Sequence, residues 1–220
     1  MTKQTKTTIA SIAFLAIVVL HISGILFSDK LAFISKPFII TTLVIVYLAA
    51  VEKPNFWYVS ALFFSFWGDV LLLFKEQFFV FGLASFLLAH VLYIKITLSF
   101  IKKVSVQKIV IASVPFVLFL CSLLYLIIDN LGEMKIPVIV YGIVISCFGV
   151  VSFLNYIQEK NTANLWLFLG TLLFVVSDSL IAINKFYEPK EFYTISIMLT
   201  YIVAQYLICK AIVAIASRQE

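Results

Sequence analysis

Charged residues are scarce in this sequence. Only 12% of the 220 residues are Asp, Glu, Lys or Arg, whereas 63% are hydrophobic, and the mean hydropathy is +1.12. A soluble domain usually carries about 25% charged residues, which cover its surface. The deficit excludes an ordinary soluble globular domain and predicts an integral membrane protein.

Familiar catalytic and cofactor motifs are also missing. The sequence contains no GxSxG elbow, no Walker loop and no HExxH pair. Its three cysteines, Cys121, Cys147 and Cys209, stand singly inside apolar runs, without the spacing of a disulfide framework or a zinc site. We therefore expect no cofactor, and these residues disfavour a metal site without excluding one.

The excess of positive charge is small, at +5. The lysines are distributed over short connections, where they set membrane topology and contact lipid headgroups, so no nucleic-acid partner is expected. The connections on the side of the membrane that holds the two termini carry slightly more basic residues than those on the opposite side, to which Lys75 belongs. This bias predicts cytoplasmic termini and a multi-pass protein of the plasma (inner) membrane.

The apolar sequence divides into eight runs, each close to the roughly 20 residues that cross a bilayer as a helix. Only helices satisfy their own backbone groups in lipid, so we predict an all-α membrane protein that forms a single polytopic domain over residues 1–220. In this division the prolines lie at span ends, and only Pro115 lies inside a span. The predicted spans are residues 7–27, 33–51, 55–74, 77–100, 107–129, 136–157, 164–184 and 191–215.

Two aspartates, Asp69 and Asp178, interrupt these apolar runs. A carboxylate at such a depth costs at least about 2.5 kcal/mol, so intramembrane aspartates usually face a bundle interior and serve a function. Each lies 14 residues after an asparagine, Asn55 or Asn164, in an odd-numbered span. This spacing predicts equal depths, about 21 Å into the membrane, and one shared cavity. Two carboxyl groups that share a cavity are expected to be one acid and one carboxylate.

The two halves of the chain show a weak likeness. A small residue precedes each aspartate, Gly68 or Ser177, and a Lys-Pro or Lys-Ile-Pro motif lies at the start of the second and sixth runs. Such parallels are typical of internally duplicated membrane proteins. We therefore predict two four-helix pseudo-repeats.

Other polar residues occur within the spans at helical spacing. His90 and Tyr93 are three residues apart, and Tyr201 and Gln205 are four apart, so each pair shares a helix face. A lone histidine in an apolar helix is usually a core residue. We assign this core role to His21. For His90, a core role and a role in the site are equally expected.

Short motifs follow a fixed order from the second run to the eighth: Lys36-Pro37, Gly68-Asp69-Val70-Leu71-Leu72, Phe81 to Phe86, His90-Val91-Leu92-Tyr93, Ser177 to Phe186, and Tyr201 with Ala204-Gln205. In this order and spacing the chain resembles the YhhN-like membrane proteins, which include the animal lysoplasmalogenases. The resemblance implies an eight-helix enzyme that cleaves the vinyl ether bond of lysoplasmalogens, releasing a fatty aldehyde and a glycerophospho-ethanolamine or glycerophosphocholine.

Roles for individual residues follow from this resemblance. Asp69 and Asp178 are implied to be the catalytic acid and base, without an assignment of which is which. The implied substrate-binding residues are Lys36 for the lipid phosphate, and His90, Tyr93, Asn184, Tyr201 and Gln205. The implied partners are a lysophospholipid substrate and membrane lipids. The alternative is a proton-coupled transporter or lipid-binding protein in which the aspartates titrate and no bond is broken.

Overall fold

Polar residues between the apolar runs mark where helices begin. The computed structural model describes residues 2–74 and 77–218, so Lys75 of the predicted topology count lies outside the described residues. Thr2, Ser28, Asn55 and Asn161 each accept a backbone N–H of a first helical turn, as N-caps do. The helices are α1 (Lys3–Phe27), α2 (Asp29–Ala50), α3 (Phe56–Leu73), α4 (Phe79–Phe100), α5 (Val106–Ile127), α6 (Lys135–Gln158), α7 (Thr162–Phe186) and α8 (Glu191–Ala216).

These helices confirm the predicted fold class. The described residues form eight helices that are long and apolar enough to cross a membrane, and they contain no strand. Two short 3-10 turns, Ile128–Asn130 and Gly132–Met134, connect α5 to α6. The protein is therefore an all-α, multi-pass membrane protein.

The start of α2 differs from the prediction. A single residue, Ser28, separates α1 from α2, so α2 begins at Asp29, four residues before the predicted start. Pro37 consequently lies inside α2 and not at a span end. The earlier start has a local cause, because the Ser28 side chain caps α2 and Asp29 places an acidic residue in its first turn.

The helix starts also change the comparison of the two aspartates. Asp69 follows the start of α3 at Phe56, whereas Asp178 follows the start of α7 at Thr162. The α7 cap is Asn161, not the Asn164 from which depth was counted. Asp178 therefore lies three residues, or about 4.5 Å, farther along its helix than Asp69 does along α3.

The chain forms two compact units, the first of which comprises Met1–Leu92 and Ile212–Glu220. Within it, α1 and α2 form a close hairpin, because a Cβ on Gly24 would lie only 2.5 Å from the backbone nitrogen of Ala32. Ser85 of α4 donates a hydrogen bond to the Phe64 carbonyl of α3, at 2.7 Å. Small residues therefore bring neighbouring helices into close contact, as in other membrane helix pairs.

The second unit, Tyr93–Ala211, uses the same kind of packing. A Cβ on Gly149 of α6 would collide with the Phe116 ring of α5, and one on Gly170 of α7 would approach the Ala204 carbonyl of α8 at 3.0 Å. Ser177 of α7 donates to the Ile197 carbonyl of α8, at 3.0 Å. This packing places Asp178, next to Ser177, on a helix held at close range by its neighbours.

Candidate functional site

Asp69 forms an ion pair inside the first unit. The Lys36 Nζ of α2 lies 3.7 Å from the Asp69 Oδ1 of α3, and the two side chains are only 14% and 3% exposed. A buried ammonium and carboxylate compensate each other in a medium that solvates neither. Two of the predicted site residues are thus brought together, but Lys36, which was expected to bind the lipid phosphate, contacts an aspartate.

The position of Lys36 follows from the extension of α2. Because α2 begins at Asp29, Lys36 lies two turns inside the helix and not at its end. Gly68, which precedes Asp69, is packed so closely that a Cβ would lie 2.5 Å from the Phe86 ring. The helix that carries Asp69, α3, is therefore held in tight contact with α4.

Asp178 has a different kind of partner inside the second unit. The Tyr141 hydroxyl of α6 donates a hydrogen bond to Asp178 Oδ2, at 2.5 Å. Tyr141 is 8% exposed, and Asp178 is half-buried. A short bond of this kind is expected where a carboxyl oxygen accepts a hydroxyl proton away from water.

Tyr141 was missed by the sequence analysis. It lies in α6 among valine, isoleucine and glycine, where a tyrosine counts as another apolar residue. One signal could have indicated Tyr141, namely the expectation that both aspartates have a polar residue on the preceding helix. Lys36 on the helix before Asp69 suggests looking for a polar group on the helix before Asp178, and Tyr141 is that group.

The structure brings together three of the predicted substrate-binding residues. The Tyr93 hydroxyl donates to Gln205 Oε1 at 2.9 Å, and Gln205 Nε2 lies 3.5 Å from the Tyr201 hydroxyl. The Tyr93 ring stacks on Phe148, and Phe174 packs edge-on against Tyr201. These tyrosines and Gln205 therefore form a buried polar cluster within an aromatic wall.

The remaining predicted residues lie in other surroundings. His90 is completely buried in the first unit. His21 forms a 2.9 Å hydrogen bond with Ser35 between α1 and α2, in keeping with the core role assigned to it. Asn184 accepts the backbone N–H of Lys190 at 3.0 Å, which ties the end of α7 to the connection before α8.

That connection carries an exposed ion pair. Lys190 Nζ lies 2.8 Å from a Glu188 carboxylate oxygen, and this hydrogen bond raises the pKa of Lys190. Lys190 therefore stays an ammonium at physiological pH. Exposed pairs of this kind contribute little to stability. The connection is also held by the Asn184 bond and by backbone bonds from Tyr187 and Glu188 to the Ile183 carbonyl.

The side chains that bind metals in proteins are dispersed. Across residues 2–74 and 77–218, no three of the His, Cys, Asp and Glu side chains lie together in an arrangement that could hold a metal ion. The groups at the two aspartates are an ammonium and a phenol, neither of which is a typical partner in a metal centre.

Comparison with known proteins identifies the family. The model of the YhhN family matches residues 31–212, a region that contains both aspartates and their two partners. The chain belongs to the YhhN family. The match also includes every predicted substrate-binding residue of this YhhN chain.

Two curated relatives of the YhhN chain carry the name lysoplasmalogenase, one from Mycobacterium bovis and one from Mycobacterium tuberculosis. Each is 31% identical over 172 residues, which cover 73% of this chain and 63% of the relative. The match thus spans less than two thirds of each relative's length. No solved structure matches the chain.

The Lys36–Asp69 pair predicts a specific pattern of stability. Replacing Lys36 by Met removes the ammonium from a buried carboxylate, which typically destabilises a protein by about 3 kcal/mol. Asp69→Asn added to Lys36→Met should recover part of this loss, because the remaining charge is removed as well. Thermal unfolding of the purified protein in detergent measures both effects.

Lys53 provides the control, because it is an exposed lysine in the connection before α3. Lys53→Met should change the free energy of unfolding by no more than about 0.5 kcal/mol. An equal effect of Lys36→Met and Lys53→Met would show that the ion pair does not stabilise the fold.

Proposed function

We propose that this protein is a lysoplasmalogenase-type hydrolase, which cleaves the vinyl ether bond of lysoplasmalogens within the membrane. The observation that carries the proposal is that two intramembrane aspartates each contact a polar side chain of the preceding helix. These contacts are Lys36 with Asp69 and Tyr141 with Asp178. The family and the names of the two mycobacterial relatives support the same activity.

The proposed chemistry needs an acid and a base. Protonation of the β-carbon of a vinyl ether leaves an oxocarbenium ion, which water captures to give a hemiacetal. The hemiacetal then collapses to a fatty aldehyde and a glycerophospho-ethanolamine or glycerophosphocholine, so one water is consumed and the proton is returned. Positioned carboxyl groups perform both proton transfers in comparable acid-catalysed reactions.

The contacts favour one assignment of roles. Asp69, paired with the Lys36 ammonium, acts as the carboxylate that stabilises the cation and removes a proton from water. Asp178 acts as the proton donor: the Tyr141 hydroxyl donates a hydrogen bond to its Oδ2, which leaves Oδ1 able to carry the proton. Tyr141 is then a positioning residue that orients the acid.

The substrate is a lysophospholipid that enters from the surrounding membrane lipids. We propose Lys36 as a contact for its phosphate in addition to Asp69, since 14% of that side chain is exposed. The proposed polar contacts to water and glycerol hydroxyls are His90, Tyr93, Asn184, Tyr201 and Gln205. We further propose that the chain forms one polytopic domain in the plasma membrane, with both termini in the cytoplasm.

The activity is tested by matched substrates. Purified protein incubated with a lysoplasmalogen should release a fatty aldehyde, whereas the matching saturated ether lipid should remain intact, because it has no double bond to protonate. Mass spectrometry of both products measures the reaction. Cleavage of both lipids at similar rates would contradict the vinyl ether mechanism, and cleavage of neither would contradict the proposed activity.

The roles of the two aspartates are tested by Asp69→Asn and Asp178→Asn. Each variant keeps the side-chain shape but removes a proton-transfer group, so aldehyde release should fall at least about a hundredfold. Membrane insertion and thermal unfolding identify variants that are folded. A folded variant with normal turnover would remove that aspartate from the mechanism.

The positioning role of Tyr141 is tested by Tyr141→Phe. Loss of one hydrogen bond to a carboxyl group should lower kcat about tenfold or more and leave KM nearly unchanged, because the bond acts on the acid and not on the lipid. Tyr125→Phe is a matched control, since Tyr125 lies in α5 with its side chain exposed. Equal kinetics for both variants would show that Tyr141 has no part in catalysis.

A further inference from the structure

A basic cleft lies where α5 begins and α6 ends. It has a volume of about 410 Å³, and its polar lining comes from Lys103, Ser105, Lys108 and Gln158. The residues that line the cleft lie between positions 103 and 158, a part of the chain that the structure describes, and none of them is an aspartate or glutamate. The cleft therefore presents positive charge at the end of two membrane-spanning helices.

The wall of the cleft is fixed by a pair of hydrogen bonds. Gln158 Oε1 accepts the backbone N–H of Lys102 at 2.9 Å, and Gln158 Nε2 donates to the Lys102 carbonyl at 3.1 Å. These two bonds attach the α4–α5 connection to the end of α6. Lys103, the next residue, is thereby held beside the cleft and not on a loose loop.

The cleft continues as an apolar groove along α5. A second cavity of about 390 Å³ is lined only by apolar side chains of α5, α6 and α7, and Phe153 of α6 lines both cavities. On α5, Ile111 lines the first cavity, and Pro115 and Phe119 line the second. These three residues follow one helix face at intervals of four.

The length of this track fits one acyl chain. Phe119 lies eleven positions after Lys108, which is roughly 17 Å along a helix. Half of a bilayer core is roughly 15 Å thick. A lipid of the leaflet on this side could therefore rest its headgroup on the lysines while one chain follows α5 to Phe119.

We propose that the cleft and the groove together form a binding site for an anionic diacyl phospholipid. Lys103 and Lys108 contact the headgroup phosphate, and the face of α5 from Ile111 to Phe119 receives one acyl chain. Basic pockets between membrane helices commonly hold anionic headgroups. None of the lining residues is among the proposed catalytic or substrate-binding residues, and the site does not depend on the proposed activity.

Charge selects the class of lipid. An anionic phospholipid brings a phosphate without a compensating ammonium, so it complements two lysines. A choline or ethanolamine lipid brings its own cation into a cleft that offers no carboxylate from its lining residues. Phosphatidylglycerol should therefore bind, and phosphatidylcholine with the same acyl chains should bind far more weakly.

The site is tested by native mass spectrometry and thermal unfolding of the full chain in detergent, with either lipid added. Phosphatidylglycerol should bind and raise the unfolding temperature. The variant Lys103→Gln/Lys108→Gln should weaken its binding about thirtyfold, the effect of two lysine contacts at a membrane surface. The control Lys6→Gln/Lys53→Gln removes the same charge from exposed lysines elsewhere and should keep the binding.

Three results would overturn the proposal. Equal binding of phosphatidylcholine would show that charge does not select the lipid. Equal weakening in both double variants would show attraction to overall charge and no site. Equal binding of a lysophospholipid with an ethanolamine headgroup would assign the groove to the proposed substrate. Since all these measurements record binding and unfolding, a failure of the hydrolase assay leaves the test intact.

Discussion

A carboxyl group inside a hydrocarbon layer requires a polar partner. This structure meets that requirement at both of its intramembrane aspartates. The alternative is an ionised group in lipid, whose cost exceeds the contribution of any single helix contact. Asp69 meets the requirement with the Lys36 ammonium, and Asp178 meets it with the Tyr141 hydroxyl. In both cases the partner lies on the preceding helix.

The helix packing is suited to these contacts. The residues next to the aspartates, Gly68 and Ser177, hold the aspartate helices against the following helices, α4 and α8, whereas the polar partners of the aspartates lie on the preceding helices. The Ser177 hydroxyl also bonds the backbone of α8 directly. Each aspartate helix therefore contacts the following helix through a small residue and the preceding helix through its aspartate.

The two contacts differ in kind, one with an ammonium and one with a phenol, and the proposed mechanism uses this difference. An ammonium stabilises a carboxylate, whereas a phenol can accompany a carboxyl group in either protonation state. Proton transfer to carbon and proton removal from water need one group of each kind. Two aspartates in otherwise similar apolar helices could acquire different roles through their neighbours alone.

Much of the architecture could be predicted from the sequence, because bilayer thickness sets helix length and lipid excludes other backbone structures. The start of α2 was placed wrongly, since Ser28 and Asp29 were interpreted as a connection when a single serine is enough to end one helix and cap the next. Pro37 was misplaced for the same reason.

The candidate site was less accessible from the sequence than the fold. Aspartates stand out in an apolar run, so Asp69 and Asp178 were found, but the pairing of Lys36 with Asp69 depends on how α2 and α3 pack. Tyr141 does not stand out by residue type in a sequence rich in aromatic residues, and only the parallel with Lys36 points to it. The prediction that both aspartates face one cavity stays a prediction, as does the internal duplication.

The central claim is that a buried carboxyl group donates a proton to carbon, and a solvent isotope measurement tests it most directly. The rate of aldehyde formation from a lysoplasmalogen is measured under single-turnover conditions in H₂O and in D₂O, with the enzyme in excess. If proton transfer to the β-carbon limits the reaction, aldehyde forms clearly more slowly in D₂O. Equal rates in the two solvents, with aldehyde still released, would contradict rate-limiting protonation by an aspartate.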